Sequence, residues 1–90
     1  MPIQFIEEFR WASEIEEKVL VKHGLLRHEV EECFFDQDQK RRRLRDRRIL
    51  FGRSDAGRYI MVVYTLGERV AAIITARDMT DSERRRFRRK

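Results

Sequence analysis

The residues of this chain best suited to chemistry are cationic. Lys22, His23 and Gly24 close a stretch with helical spacing. A histidine at a helix C-terminus feels the negative end of the helix dipole, and imidazole is the side chain that gains and loses its proton near neutral pH. His23 therefore reads either as a general acid or base, with Lys22 beside it for charge, or as a polar residue ending a helix. The run from Lys40 to Arg48 supplies Lys40, Arg41, Arg42, Arg43 and Arg45, the clustered charge that phosphate binding needs. Such a run equally serves as a solvated face or a site for an acidic partner. Arg77 is different: it is the first charge after the apolar run VAAIITA, so a strand would hold its guanidinium in place. A fixed guanidinium can stabilise charge building up on a phosphorane, where a loose one cannot. The competing reading is an ion pair with Asp78 or Asp46.

Histidine, lysine and arginine together suit cleavage of RNA, whose ribose 2′-OH supplies the nucleophile and leaves the protein to move protons and stabilise charge. No serine or cysteine nucleophile arrangement, phosphate-binding glycine loop or paired-carboxylate pattern competes. Cys33 falls on the apolar face of a helix and reads as core. One Cys and two His make a structural zinc site improbable, so no metal and no cofactor is expected.

The elements that must position these groups follow from pattern. A short strand near the N-terminus ends about Trp11. Ser13 and Glu16 have the spacing of a capping box, and the helix they open stops at Gly24. A second helix runs from about Leu26, with Leu26, Val30, Cys33 and Phe34 on one face. DQDQKRRRLRDRR, polar throughout, reads as a loop. RILFGR, RYIMVVYT and RVAAIITA are strand-forming runs separated by SDAG and LGE, a three-stranded meander that the N-terminal strand extends to four. Thr80 and Glu83 form another capping box opening a short basic helix. The fold class expected is α+β: two N-terminal helices packed on a three- to four-stranded antiparallel sheet, with a short C-terminal helix. Because the central strands are apolar on both faces, that last helix or a partner must cover the second face.

Ninety residues make one domain, spanning 1–90. Charged residues are 41% of the chain, and the net charge of +5 is unevenly spread. Residues 1–35 are net −4 and residues 36–90 net +9, and 17 of the 21 basic residues are Arg, the better bidentate phosphate ligand. The second part of the chain is thus built for a polyanion partner, or for solubility at high charge. A lone Cys suits a reducing compartment, and no membrane span or signal peptide is visible, so a cytoplasmic protein with no membrane partner is expected.

FRW (9–11), KHG (22–24), CFFD (33–36), DRRILFGRS (46–54), GRYIMVVYT (57–65), IITAR (73–77) and the closing T-x-x-E-R-R-R-F (80–87) occur in an order that resembles the BrnT family of type II toxin–antitoxin toxins. The resemblance spans nearly the whole chain. It implies a fold similar to RelE-type ribonuclease toxins, metal-independent RNA cleavage, and inhibition by a co-encoded ribbon-helix-helix antitoxin. The resemblance also implies that operator DNA is bound only through the antitoxin complex, with room there for a homodimer of the toxin. Carried over by position, Lys22 and His23 match the family's Lys-His-Gly, Arg47 the Arg opening its second strand, Gly52 and Arg53 its Gly-Arg turn, and Arg77 the Arg of its Ile-Ser-Ala-Arg. Asp46 stands where a Glu is usual, Thr75 where a Ser is, and Ala12 follows Trp11 in place of an Asp. Ala72 replaces an Arg, and Phe87 a Tyr.

The combined expectation is a metal-independent endoribonuclease with His23, Arg77, Arg47 and Lys22 as its catalytic group. Lys40, Arg41, Arg42, Arg43, Arg45 and Arg53 would bind the RNA backbone. The alternative, favoured by Ala72 and Phe87, is a degenerate homologue acting as a nucleic-acid-binding or protein-interaction module.

Overall fold

In the computed structural model, which describes residues 6–89, the chain runs β1 (Glu8–Arg10), α1 (Ser13–His23), α2 (Arg27–Glu32), a 3₁₀ turn (Cys33–Phe35), β2 (Lys40–Leu44), β3 (Arg47–Arg53), β4 (Tyr59–Gly67), β5 (Val70–Asp78) and α3 (Asp81–Arg88). The strands form one sheet in the order β1-β5-β4-β3-β2. β2 to β5 are antiparallel neighbours, and β1 lies parallel to β5, Phe9 opposite Ala71. The α+β class holds, with five strands in a mixed sheet. The N-terminal strand stops at Arg10; any part of it in residues 1–5 lies outside the described residues.

The additional strand is β2, in the segment read as a loop. Its side chains are mostly exposed, so it lacks the apolar alternation by which strands are recognised. Backbone pairing to β3 makes it a strand instead, in register from Lys40 opposite Phe51 to Leu44 opposite Arg47. Only Arg45 and Asp46 lie between the two strands, with Arg45 at φ 60°. Charged side chains suit an edge strand, where they discourage pairing with other chains. The β4–β5 turn also shifts from expectation: Glu68 and Arg69, both at positive φ, make it, and Gly67 stays in the strand.

The Ser13 capping box does not form. Ala12 is the N-cap, so Ser13 is already helical, and the Ile15 and Glu16 amides bond to the Ala12 carbonyl. The chain is anchored one residue earlier, where the Trp11 indole donates to Glu31 Oε2 at 2.8 Å. Gly24, at φ 64°, ends α1 as expected, its amide returning to the Leu20 carbonyl. The Thr80–Glu83 box does form, each side chain accepting from the other's backbone amide, at 2.9 and 3.1 Å.

Helices cover both faces of the sheet. Under α1 and α2 lies the larger core, in which Val19, Leu25, Val30, Cys33 and Phe34 meet Leu50, Ile60, Val62, Tyr64, Ala71, Ile73 and Ala76. Of the expected second-helix face, Val30, Cys33 and Phe34 are buried, whereas Leu26 is exposed at the N-cap. Gly52 lets the 3₁₀ turn sit against β3; a Cβ there would come within 2.8 Å of the Cys33 carbonyl oxygen. Burial raises the Cys33 thiol to about 12, so it stays protonated at neutral pH and is core as read. On the other face a smaller cluster, Met61, Met79 and Phe87, seats α3.

Candidate functional site

Alternation along the strands sorts the candidate residues by face. Ile49, Phe51 and Met61 belong to the α3 cluster, so the residues in step with them share that face. One row across the sheet reads Lys40, Phe51, Met61, Arg77 and the next Arg42, Ile49, Val63, Thr75. A third begins at Leu44 and Arg47 and lies level with Thr65 and Ala72. An eight-residue helix is about 12 Å long, too short to cover five strands, and it leaves the Arg47 end of this face open.

The structure therefore brings Lys40, Arg42, Arg47, Arg53 and Arg77 to one face. Arg47 and Arg77 stand about 13 Å apart along the strands and about 10 Å across them. Ala72, where the resemblance implies an Arg, belongs to the same face as Arg47. Arg41 and Arg43 alternate to the opposite side, while Arg45 occupies the exposed hairpin tip.

Arg77 is held as a strand-borne guanidinium should be, by a partner the sequence did not suggest. Its Nη1 and Nη2 donate to the two carboxylate oxygens of Glu83 at 2.8 and 3.0 Å, and Nη1 also donates to the Asp78 carbonyl oxygen at 2.9 Å. Neither the Asp78 carboxylate nor Asp46 pairs with it. The Arg77 hydrogen bonds hold the Glu83 carboxyl below its ordinary pKa, aided by the Thr80 amide. Arg77 thus pins the first turn of α3 to β5, and its Nε and one remaining Nη2 hydrogen are still available to a ligand.

Asp78, the next residue, points the other way and belongs to Arg58. Arg58 Nε and Nη2 reach its two carboxylate oxygens at 2.8 and 3.1 Å, while Nη1 and Nη2 donate to the carbonyls of Gly24 and His23 at 2.9 and 3.0 Å. One guanidinium thus joins β5 to the C-terminus of α1, whose orphan carbonyls it satisfies. The Arg58 hydrogen bonds hold the Asp78 carboxyl below its ordinary range, and the charges of His23 and Arg84 act in the same direction. His23 is half-buried at this rim, Lys22 beside it is exposed, and both lie on the α1 side. The sheet separates them from Arg47 and Arg77, which face α3. The four residues grouped from sequence do not form one cluster: His23 and Arg77 lie at the C-terminal end of β5, where Arg84 also approaches, and Arg47 lies level with Ala72 toward its other end.

Arg53 is the most neutralised of the candidate RNA contacts. Its backbone amide donates to Asp36 Oδ2 at 2.7 Å and its Nη2 to Asp38 Oδ2 at 3.0 Å, beside an acidic groove of about 320 Å³ lined by Glu32, Asp36 and Asp55. Lys40 is tied to α3: Nζ donates to the carbonyls of Arg86 and Arg89 at 3.2 and 2.9 Å and stands 5.8 Å from the Phe87 ring centroid. Two guanidinium groups approach the Tyr59 ring, that of Arg84 at 4.7 Å from its centroid and that of Arg53 at 6.0 Å. No ion pair joins Asp46 to Arg47 among the described residues.

Sequence reasoning missed Arg58, Glu83 as the partner of Arg77, Arg84 and Tyr59. Glu83 left a signal, since its capping box marked the helix start that faces Arg77. Arg58 left none, because its partners are 20 and about 35 positions away. Among the described residues, no three or more His, Cys, Asp or Glu side chains converge as metal ligands would. No helix among them is long and apolar enough to cross a membrane.

Comparison with known proteins adds to this geometry. A family model described as the ribonuclease toxin BrnT of type II toxin–antitoxin systems matches residues 11–83. Among solved structures, the fold is similar to the crystal structure of the Brucella abortus ribonuclease toxin BrnT. The match has a TM-score of 0.66 at 19% identity, over 82% of this chain and 97% of that one. No curated protein sequence gives a significant match.

Proposed function

This chain belongs to the BrnT family of ribonuclease toxins of type II toxin–antitoxin systems, and from that premise we propose that it cleaves RNA without a metal, using the substrate's own 2′-OH. The observation that carries this reading is the gathering of Lys40, Arg42, Arg47 and Arg77 on the half-open α3 face of the sheet. RNA would follow that face and leave it over the C-terminal end of β5. There His23 acts as general acid or base, moving a proton from the 2′-OH or to the leaving 5′ oxygen, and Lys22 adds positive charge. Arg77, already oriented by Glu83, offers its two uncommitted N–H groups to the charge that develops on phosphorus. Arg47 holds a neighbouring phosphate, and the β2 side chains with Arg45 and Arg53 hold the flanking backbone.

The test is cleavage of RNA in EDTA by the wild type, His23→Ala and Arg77→Ala, with product ends analysed for 2′,3′-cyclic phosphate. The expected result is cyclic ends from the wild type and a fall of about a hundredfold or more in either variant. Intact RNA in the presence of folded wild type rejects the free-enzyme reading. It would favour the second reading, a degenerate toxin that binds without cutting. Two observations support that alternative. Ala72 puts no cation in the row of the sheet that Arg47 begins, and Phe87 is buried edge-on against Tyr59 with no hydroxyl to offer.

As a family toxin its partners include an antitoxin and RNA. We further propose that the antitoxin is of the ribbon-helix-helix kind, lies across the same cationic face, and brings operator DNA and any homodimer only within the complex. RNA and antitoxin then compete; simultaneous binding sinks the idea.

A further inference from the structure

The α3 face carries one feature that general phosphate binding does not require: a groove of about 270 Å³ between β2, β3 and α3. Its floor is apolar, from Phe51 and Phe87, while Lys40, Arg41, Arg42, Arg86 and Glu83 complete its lining. A cationic rim over an aromatic floor is what a flattened heterocycle joined to phosphate needs, because the ring stacks and the backbone pairs with the rim. Lys40 already covers the Phe87 ring, so the half-buried Phe51 is the ring left for stacking.

Glu83 makes the groove more than an electrostatic trough. It is the sole carboxylate in the lining, and two elements hold it rigid: Arg77 grips both its oxygens, and the Thr80 amide donates to Oε1 at 2.9 Å. Oε1 thereby accepts two hydrogen bonds and Oε2 one, leaving a fixed acceptor site on Oε2. Because the Arg77 bonds keep the carboxylate ionised, this site accepts and does not donate. An exocyclic amino group on adenine, cytosine or guanine can fill it, whereas uracil presents a carbonyl oxygen at the corresponding position.

We propose that this groove is a nucleobase subsite, with Phe51 as its stacking floor and Glu83 selecting bases that carry an exocyclic amino group over uracil. The assignment rests on the reading of the α3 face as the RNA-binding face. It makes Arg77 a positioning residue for specificity as well as a contact of the substrate.

The experiment measures binding of 2′-O-methylated, non-cleavable homopolymers of A, C and U, equal in length, to the full chain and to two variants. The wild type is expected to bind the A and C oligomers about tenfold more tightly than the U oligomer, the scale of one hydrogen bond to a charged acceptor. Glu83→Gln, which keeps a side chain compatible with the capping box, removes that preference, because an amide can both donate and accept. Phe51→Leu, nearly volume-conserving, weakens all three oligomers about tenfold, as loss of one stacked base does. Equal wild-type affinity for all three, with RNA binding intact, overturns the subsite and leaves the proposed function standing. A preference that survives Glu83→Gln also overturns it. No RNA binding by the wild type overturns both.

Discussion

The same strands present two unlike faces. Toward α1 and α2, Leu50 of β3 and Ala71, Ile73 and Ala76 of β5 join a core in which Leu50, Ile60, Val62 and Tyr64 are fully buried. Toward α3, the intervening residues bury only Met61 with Met79 and Phe87, and beyond them stand cations. The first face stabilises through apolar area removed from water. The second is shallow, so its guanidinium and ammonium groups stay hydrated until a polyanion displaces their counterions. On the proposed reading, stability and RNA binding are carried by opposite sides of one sheet, and substitutions can separate them.

The largest expected effect is on the dry face. Leu50→Ala should destabilise by about 3 kcal/mol, transfer and cavity costs together, read as a lowered urea midpoint; a change under about 1 kcal/mol would show that this core does not govern stability. Next is Arg58→Ala. It strips charged hydrogen bonds from Asp78 and from the carbonyls of His23 and Gly24, at roughly 1.5 kcal/mol after allowance for partial exposure. Comparing amide exchange at the end of α1 in the variant and the wild type locates the loss; unchanged protection there contradicts the clamp.

Acid supplies a smaller effect with a definite sign. Asp78 and Glu83 are held below their ordinary values by Arg58 and Arg77. Their contribution is thus complete above the ordinary carboxylate range and declines as pH falls below about 4. Urea midpoints at pH 7 and pH 3 should fall less steeply in Arg58→Ala than in the wild type, because the Asp78 share is already gone. Parallel slopes would assign the acid sensitivity elsewhere.

The smallest stability effect belongs to the cationic face. Arg42→Ala and Arg47→Ala should shift unfolding by under about 0.5 kcal/mol, yet each should reduce the salt slope of RNA binding by about one. If either unfolds the protein, the division between the faces breaks.

Much was legible in the sequence. The α+β class, the strand-forming runs, the Gly24 stop, the buried Cys33 and the α3 capping box are set by residues within a few positions of one another. Local patterns misled in two places. Ser13 has capping spacing, but Ala12 is the N-cap, next to a Trp11 whose indole is held by Glu31. The Lys40–Leu44 run had no alternation, because an exposed edge strand buries too little to need it.

The sequence by itself determined periodicity, turn chemistry and the concentration of arginine in the second part of the chain, since each depends on neighbours along the backbone. Only the tertiary structure decided which face each cation occupies, that Arg77 answers to Glu83 and Arg58 to Asp78, and that the sheet parts His23 from Arg47. Those outcomes depend on strand register and helix packing. A shift of one residue in register exchanges the faces, and composition does not record it.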